Sequence, residues 1–240
     1  MIFISAPFGN YLKFKNATSV AGTFTVQPRK GRLKQIVRTL RYVKTEAGWS
    51  WRNKLGLRNP GLQHALQTVD YDKILSVAAI NETDWTSIFN SISADRNIEL
   101  NVSCPNLDSH NDTTTWENFN RFPRKMRNRY CIVKIPPNAT EEFIDNIVDM
   151  GYKQIHASNT LPTEQGGLSG KILMPHTLGI IKYIRNKHSH VEIIAGGGVT
   201  TPKDAIIYKD AGANHISLGS VCFTPWKIKK IIADEWIKGE

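Results

Sequence analysis

Eight short apolar runs recur along the chain, and most are followed by a helical pattern. The runs are Ile2 to Ala6, Ala17 to Thr25, Lys73 to Ala79, Ile98 to Ser103, Cys131 to Ile135, Gln154 to Ser158, Glu192 to Ala195 and His215 to Leu218. Several are near-continuous Val, Ile and Leu, as in strands covered on both faces of a parallel sheet. Strands alternating with helices specify an α/β fold, and eight such units specify a (β/α)8 TIM barrel, which takes about 250 residues. The chain has 240, so one barrel domain over 1–240 is expected. A doubly wound sheet is the competing arrangement, but no G-x-G-x-x-G follows the first strand.

The helices carry start and stop signals. Asn59-Pro60 reads as a cap and first-turn proline for a helix to about Val69. Trp85 to Ile92 repeats apolar residues at helical spacing, and Trp116 to Met126 does so more weakly, interrupted by Pro123. Thr140 caps a helix that runs to Met150 and closes at Gly151. Met174 to Lys187 ends in a basic turn, which suits the helix dipole. Thr201-Pro202-Lys203-Asp204 starts a helix that stops at Gly212, and Thr224-Pro225 starts the last, through Lys238.

A barrel places its chemistry on the loops that leave the strands. The first such end reads Ala6-Pro7-Phe8-Gly9-Asn10, and the second holds Gly22, Thr23 and then Arg29. The segment Asn53 to Gly61 is rich in turn residues, with Leu55 and Leu57 flanking Gly56. The fourth end is Asn101-Val102-Ser103-Cys104-Pro105-Asn106, where proline should stop the strand. Two carboxamides there can read a polar planar ring, and a thiol can move a proton or attack carbon. Read alone, the same string is a turn with a buried cysteine. Later ends hold Lys134, Ser158-Asn159-Thr160, Gly166 to Gly170, Gly196-Gly197-Gly198 and Gly219-Ser220. Glycine lets backbone N–H groups approach an oxyanion, and the last two sites, just before helix starts, match the phosphate position of barrels. A lysine at the end of a buried strand is costly unless paired, which calls for an anionic partner such as a reduced flavin ring or a carboxylate. Asn53, Asn101, Asn106 and Asn159 put four carboxamides at one barrel mouth.

Composition narrows the function classes. There is no run of 18 apolar residues and no basic, apolar leader, so no membrane span or signal peptide is expected. The 3 cysteines lie far apart without C-x-x-C spacing, which suits a reducing, cytoplasmic location and no zinc site. The net charge is +10, and Arg29 to Lys44 contributes seven bases and no acid. Without an RNA-binding signature this segment reads as a solvated loop, and nucleic acid is not expected as a partner. Of the 7 histidines, only His156 falls near the mouth, and it reads as core packing. No acidic or histidine cluster points to a metal.

In combination and order, these motifs resemble the dihydroorotate dehydrogenases, which are FMN-dependent (β/α)8 barrels. The resemblance runs through Gly22 to Thr25 with Pro28-Arg29, Asn53 to Gly61, Glu99 to Asn106, Val133 to Pro137, Ser158 to Thr160, Gly166 to Lys171 and Gly196 to Val199. It implies oxidation of dihydroorotate to orotate in pyrimidine synthesis, with a base taking the C5 proton while hydride passes from C6 to flavin N5. Cys104 stands where the soluble branch has its catalytic cysteine. Asn53, Asn101, Asn106, Asn159 and Thr160, with the backbone at Leu55, Gly56 and Leu57, would bind the substrate. Lys134 would sit by the flavin. Ser169-Gly170, Gly197-Gly198 and Gly219-Ser220 would hold phosphate and ribityl, and Ala6, Gly22, Thr23, Asn101 and Ser158 complete the cofactor set. The implied partner is the small-molecule substrate, with a homodimer as the candidate assembly. Two departures stand out. The chain is shorter than the family's usual length, and the flavin-side lysine of the first strand ends is replaced by Asn10 and Gly22, leaving Lys13 as the candidate contact. The alternatives are a barrel that reduces uridine in tRNA, and a flavin-binding barrel without turnover.

Overall fold

In the computed structural model, which describes residues 1–102 and 118–233, the eight runs close on themselves as one parallel barrel. With strands numbered along the chain, the staves are β1 (Ile2–Ile4), β2 (Ala17–Phe24), β5 (Ile74–Val77), β6 (Ile98–Asn101), β7 (Cys131–Ile135), β8 (Gln154–Ala157), β11 (Glu192–Gly196) and β12 (His215–Leu218). Ile2 closes the ring, pairing with Ile216 on one side and Ala17 on the other. Every sequence-predicted strand is a stave.

The runs are continuously apolar because both faces are covered. Ile2 and Ile4 join a large cluster with helix residues such as Ile228 and Ile231. Phe3 alternates to the other face, so with Val20, Ile74, Ile132 and Ile194 it fills the barrel interior. Above this apolar layer, toward the strand ends, the buried residues turn polar: Ser5, Ser76, Glu99, Lys134, His156 and Ser217.

Helices α2 (Leu62–Thr68), α3 (Glu82–Ser91), α4 (Phe122–Lys125), α5 (Glu141–Asp149), α6 (Met174–Lys187), α7 (Pro202–Asp210) and α8 (Pro225–Ala233) each follow a stave from β2 onward. From β1 to β2 the chain passes through a single 3-10 turn, Phe8–Asn10. The cap signals hold at α5, where Thr140 accepts from the Phe143 amide, and at α7, where Thr201 and Asp204 form a reciprocal capping box. Three expectations need correction. Asn59 does not cap α2; it is buried and accepts from the amides of Thr25 and Gly61. Pro123 lies in the first turn of α4, where its missing N–H costs nothing, and so starts that helix rather than breaking one. The basic segment is not a loop. It forms α1 (Arg32–Thr39) and β3 (Arg41–Thr45), although Lys30, Lys34, Arg38, Arg41 and Lys44 do stay exposed.

A second sheet, not foreseen from sequence, sits over the mouth. It contains β3, β4 (Gly48–Asn53), β9 (Leu161–Thr163) and β10 (Gly166–Ser169) in the order β3-β4-β10-β9, antiparallel throughout. One hairpin comes from the β2–β5 connection and the other from the β8–β11 connection. They join through β4 and β10, with Asn53 opposite Gly167 and Trp51 opposite Ser169.

Candidate active site

One cavity of about 400 Å³ opens at the carboxyl ends of the staves, within the range usual for small-molecule sites. Its floor is built from strand ends: Ala6 after β1, Gly22 and Thr23 in β2, Asn101 ending β6, Lys134 in β7 and Ser158-Asn159-Thr160 after β8. Gly197 and Gly198 follow β11, and Gly219 and Ser220 follow β12. The second sheet makes a wall, with Asn53 ending β4, Ser169 and Gly170 ending β10, and Leu55, Gly56 and Leu57 beyond β4. Apart from Lys13, every sequence-predicted site residue within the described residues therefore lines this cavity. Cys104 and Asn106 lie outside the described residues.

The Asn53 seat shows why the wall needs glycine. Gly166 has φ +114°, and a Cβ there would lie 2.4 Å from the Asn53 carbonyl oxygen. Asn53 Oδ1 accepts from the Leu55 amide at 3.3 Å, which turns the chain toward Gly56 and Leu57. Gly56 O in turn accepts from Arg29 Nε at 3.0 Å.

Lys134 lines the cavity with 5% of its surface exposed. Its charge acts on a buried protein carboxylate, Glu99, 1% exposed, at longer than salt-bridge range. Burial alone pushes the Glu99 carboxyl up, but the Lys134 charge and hydrogen bonds from His156 and Ser76 outweigh it and hold the pKa at about 2. His156 is not an apolar packing residue. Its Nδ1 lies 2.7 Å from Glu99 Oε2. Burial and the Lys134 charge both lower its pKa, and facing an ionised carboxylate its Nδ1–H donates. Sequence reasoning missed Glu99 as a functional residue, although the rule that flagged Lys134 applies equally to a carboxylate within Ile98-Glu99-Leu100.

The carboxamides connect to this charge pair. Ser76 Oγ donates to Glu99 Oε1 at 2.7 Å, and Thr23 Oγ1 lies 2.9 Å from Ser76 Oγ. Asn101 Nδ2 donates to Thr23 Oγ1 at 3.0 Å, and Asn159 Nδ2 to Asn101 Oδ1 at 3.3 Å.

The far side of the cavity is backbone. Gly197 and Gly198 have φ +90° and +78°, and a Cβ on Gly198 would fall 2.7 Å from Met174 Cγ and 2.9 Å from Lys171 Cα. Side chains are thus excluded, and the peptide groups themselves face the space. One detail of the phosphate expectation changes. The amides around the α7 start are engaged locally: Asp204 accepts from Thr200 N and Thr201 N just before the helix, and Thr201 Oγ1 accepts from the Asp204 amide inside it. An anion at Gly197-Gly198 therefore meets loop amides rather than the α7 terminus. A glycine-lined cradle opposite a buried lysine fits a ligand with an oxyanion at one end and a polar ring at the other, as FMN has.

Several lining residues were not foreseen. Trp51, Phe223, Ile36, Leu40, Tyr11, Arg32 and Arg58 frame the outer rim. Trp51 packs against Phe223 at 4.4 Å and Tyr42 at 4.9 Å between ring centroids. Leu33, Ile36, Val37 and Leu40 were legible as an i, i+3, i+4, i+7 stripe. The candidate lysine contact fails: Lys13 is outside the cavity, 2.6 Å from Asp72, with its side chain 70% exposed. Gly22 cannot take a lysine either, because a Cβ there would lie 2.4 Å from the Ser76 carbonyl oxygen. The described cysteines, Cys131 and Cys222, are pushed by burial to pKa values of about 12 and do not line the cavity. No helix among the described residues is long and apolar enough to cross a membrane.

Comparison with known proteins gives one consistent picture. The family model for dihydroorotate dehydrogenase matches residues 7–238. The chain is 29% identical over 247 residues to the catalytic subunit of dihydroorotate dehydrogenase B (NAD(+)) from Listeria monocytogenes, covering 90% of this chain and 79% of the relative. It is 26% identical over 232 residues to dihydroorotate dehydrogenase A (fumarate) from Lactiplantibacillus plantarum, covering 83% and 73%. The fold superposes on a crystal structure of DHODH from Eimeria tenella in complex with ferulenol, with a TM-score of 0.72 at 18% identity over 96% of this chain and 79% of the other.

Proposed function

The chain belongs to the dihydroorotate dehydrogenase family, and from that premise we propose that it is an FMN-dependent oxidoreductase converting dihydroorotate to orotate in pyrimidine synthesis. One observation carries the reading. Asn53, Asn101, Asn159 and the buried Lys134 converge on a single cavity whose opposite side is glycine backbone. Three carboxamides suit the alternating carbonyl and N–H edge of a pyrimidine ring with its carboxylate.

In this reading the chain's residues divide the work. Asn53, Asn101, Asn159 and Thr160 orient the ring, with Asn106 added from sequence, and the turn at Leu55 to Leu57 closes over it. Ser169-Gly170, Gly197-Gly198 and Gly219-Ser220 hold the phosphate end of the cofactor. Lys134 sits beside the flavin ring, within the field of the buried Glu99 carboxylate. Cys104, three residues beyond Asn101, takes the C5 proton. Bound FMN supplies the acceptor for the two-electron hydride leaving C6. Loss of that proton and hydride leaves the C5–C6 double bond of orotate.

Gly22 favours one rival, a flavin-binding barrel without turnover, because no basic side chain can stand at that strand end. A single experiment separates the two. Purified protein reconstituted with FMN is titrated anaerobically with dihydroorotate while the flavin absorbance is followed, then reoxidised with fumarate, NAD or a quinone in turn. Stoichiometric bleaching supports the enzyme. A yellow protein that does not bleach supports the rival, and a protein that cannot be loaded with flavin ends both.

A further inference from the structure

Glu99 does not line the cavity. It lies one layer below, two residues before Asn101 and on the same face of β6. We propose that Glu99 is a positioning residue for the ligand-reading carboxamides, acting through a hydrogen-bond relay whose direction its ionised carboxylate fixes; the ligand it serves rests on the function proposed above.

The direction follows from counting protons. An ionised carboxylate accepts and never donates. Ser76 Oγ, 2.7 Å from Glu99 Oε1, must therefore give its proton to Glu99. Toward Thr23, 2.9 Å away, Ser76 then offers lone pairs alone, so the Thr23 hydroxyl donates to it. Thr23 Oγ1 is left to accept, which it does from Asn101 Nδ2 at 3.0 Å. The Asn101 amide is thereby set with nitrogen toward Thr23 and oxygen toward Asn159, whose Nδ2 reaches it at 3.3 Å. Asn159 Oδ1 accepts from the Thr160 amide at 2.9 Å, so the second carboxamide is fixed from both ends. The far oxygen of Glu99 is held by His156 at 2.7 Å, which leaves the near one for Ser76.

Burial makes the relay stiff. Ser76 is 0%, Glu99 1% and Asn101 3% exposed, so water does not compete for the Ser76–Glu99 bond, while Thr23 and Asn159 are half-buried at the cavity. A free asparagine side chain flips its amide readily. Here each flip would set two donors or two acceptors face to face, which a buried site penalises. A charge beneath the floor thus decides which edge each carboxamide presents.

The test uses the full chain with nitrogen-labelled asparagine. The side-chain amide signals of Asn101 and Asn159 are assigned with Asn101→Asp and Asn159→Asp and followed without cofactor. Ser76→Ala, which touches neither cofactor nor substrate, is expected to shift both amide pairs and speed their exchange with water. In FMN-loaded protein it should raise the orotate Kd about tenfold, one lost buried hydrogen bond, with the FMN Kd near the parent's and the Tm lowered by the unsatisfied Glu99 oxygen. Thr23→Val, nearly isosteric, should shift the same two amide pairs, and the double variant should shift them no further than Thr23→Val alone. Unshifted amide pairs, or additive shifts in the double variant, overturn the relay. Shifted pairs in a protein that binds neither FMN nor orotate leave the relay standing and remove the proposed substrate.

Discussion

At the scale of residues, the charge pair beneath the cavity sets the terms. Lys134 and Glu99 are both buried in largely apolar strands, and the Lys134 charge offsets the burial of Glu99. Lys134→Met alone leaves Glu99 buried without its cation. We expect it to lower unfolding stability by about 3–5 kcal/mol, and the double variant Lys134→Met/Glu99→Gln to recover much of that, as read by urea denaturation. Acid should attack the same place. Glu99 has its pKa depressed from 4.5 to about 2, so it stabilises the fold fully above about pH 4.5 and progressively less as pH falls toward 2. At the opposite end of the barrel Glu192 behaves alike. Burial raises it, but hydrogen bonds from Arg129, Gln154 and His215 bring it to about 2. His156 and His215, both lowered chiefly by burial, act in the same direction below their ordinary value of 6.5. Stability should therefore fall from about pH 6 downward in two stages. Glu192→Gln should flatten the lower one, and an unchanged slope would count against the pairing.

At the scale of elements, the staves and the mouth were unequally legible. Runs such as Cys131 to Ile135 announce themselves because a strand buried on both faces must be apolar throughout. The second sheet offers no such run. Arg41 to Thr45 contains no buried residue, Leu161 to Thr163 is three residues with a proline, and Gly166 to Ser169 is half glycine. Their two hairpins become one sheet only through the β4–β10 pairing across more than a hundred residues, which local periodicity does not register. Asn53 was nonetheless placed correctly, because its turn chemistry is local. Cys104 and Asn106, which resemblance marks strongly, lie outside the described residues. Gly166→Ala tests the wall. The added methyl would collide with the Asn53 carbonyl, so β10 must shift. We expect ligand affinity to fall at least tenfold while the barrel loses about 1–3 kcal/mol or less, measured by orotate titration alongside thermal unfolding. Loss of cooperative unfolding instead would mean that the sheet supports the barrel itself.

At the scale of the molecule, closure joins the ends of the chain: Ile2 pairs with Ile216 and Phe3 with Ser217. The ring cannot open at any point without breaking a parallel ladder. We expect calorimetric unfolding in one transition with matching calorimetric and van't Hoff enthalpies. FMN at a hundred times its Kd should add about 2.7 kcal/mol if it binds the folded state alone. Two transitions would divide barrel from mouth.

The β4–β10 junction has a further consequence for anyone recombining this protein with its relatives. Trp51 faces Ser169 and Asn53 faces Gly167 across that junction, so residues 41–53 and 161–169 act as one replaceable part encoded in two places. A chimaera that imports either hairpin alone leaves a bare strand edge over the mouth and invites misassembly. Crossovers should therefore be chosen in pairs, on the staves flanking both insertions, so that the two halves of the seam always travel together.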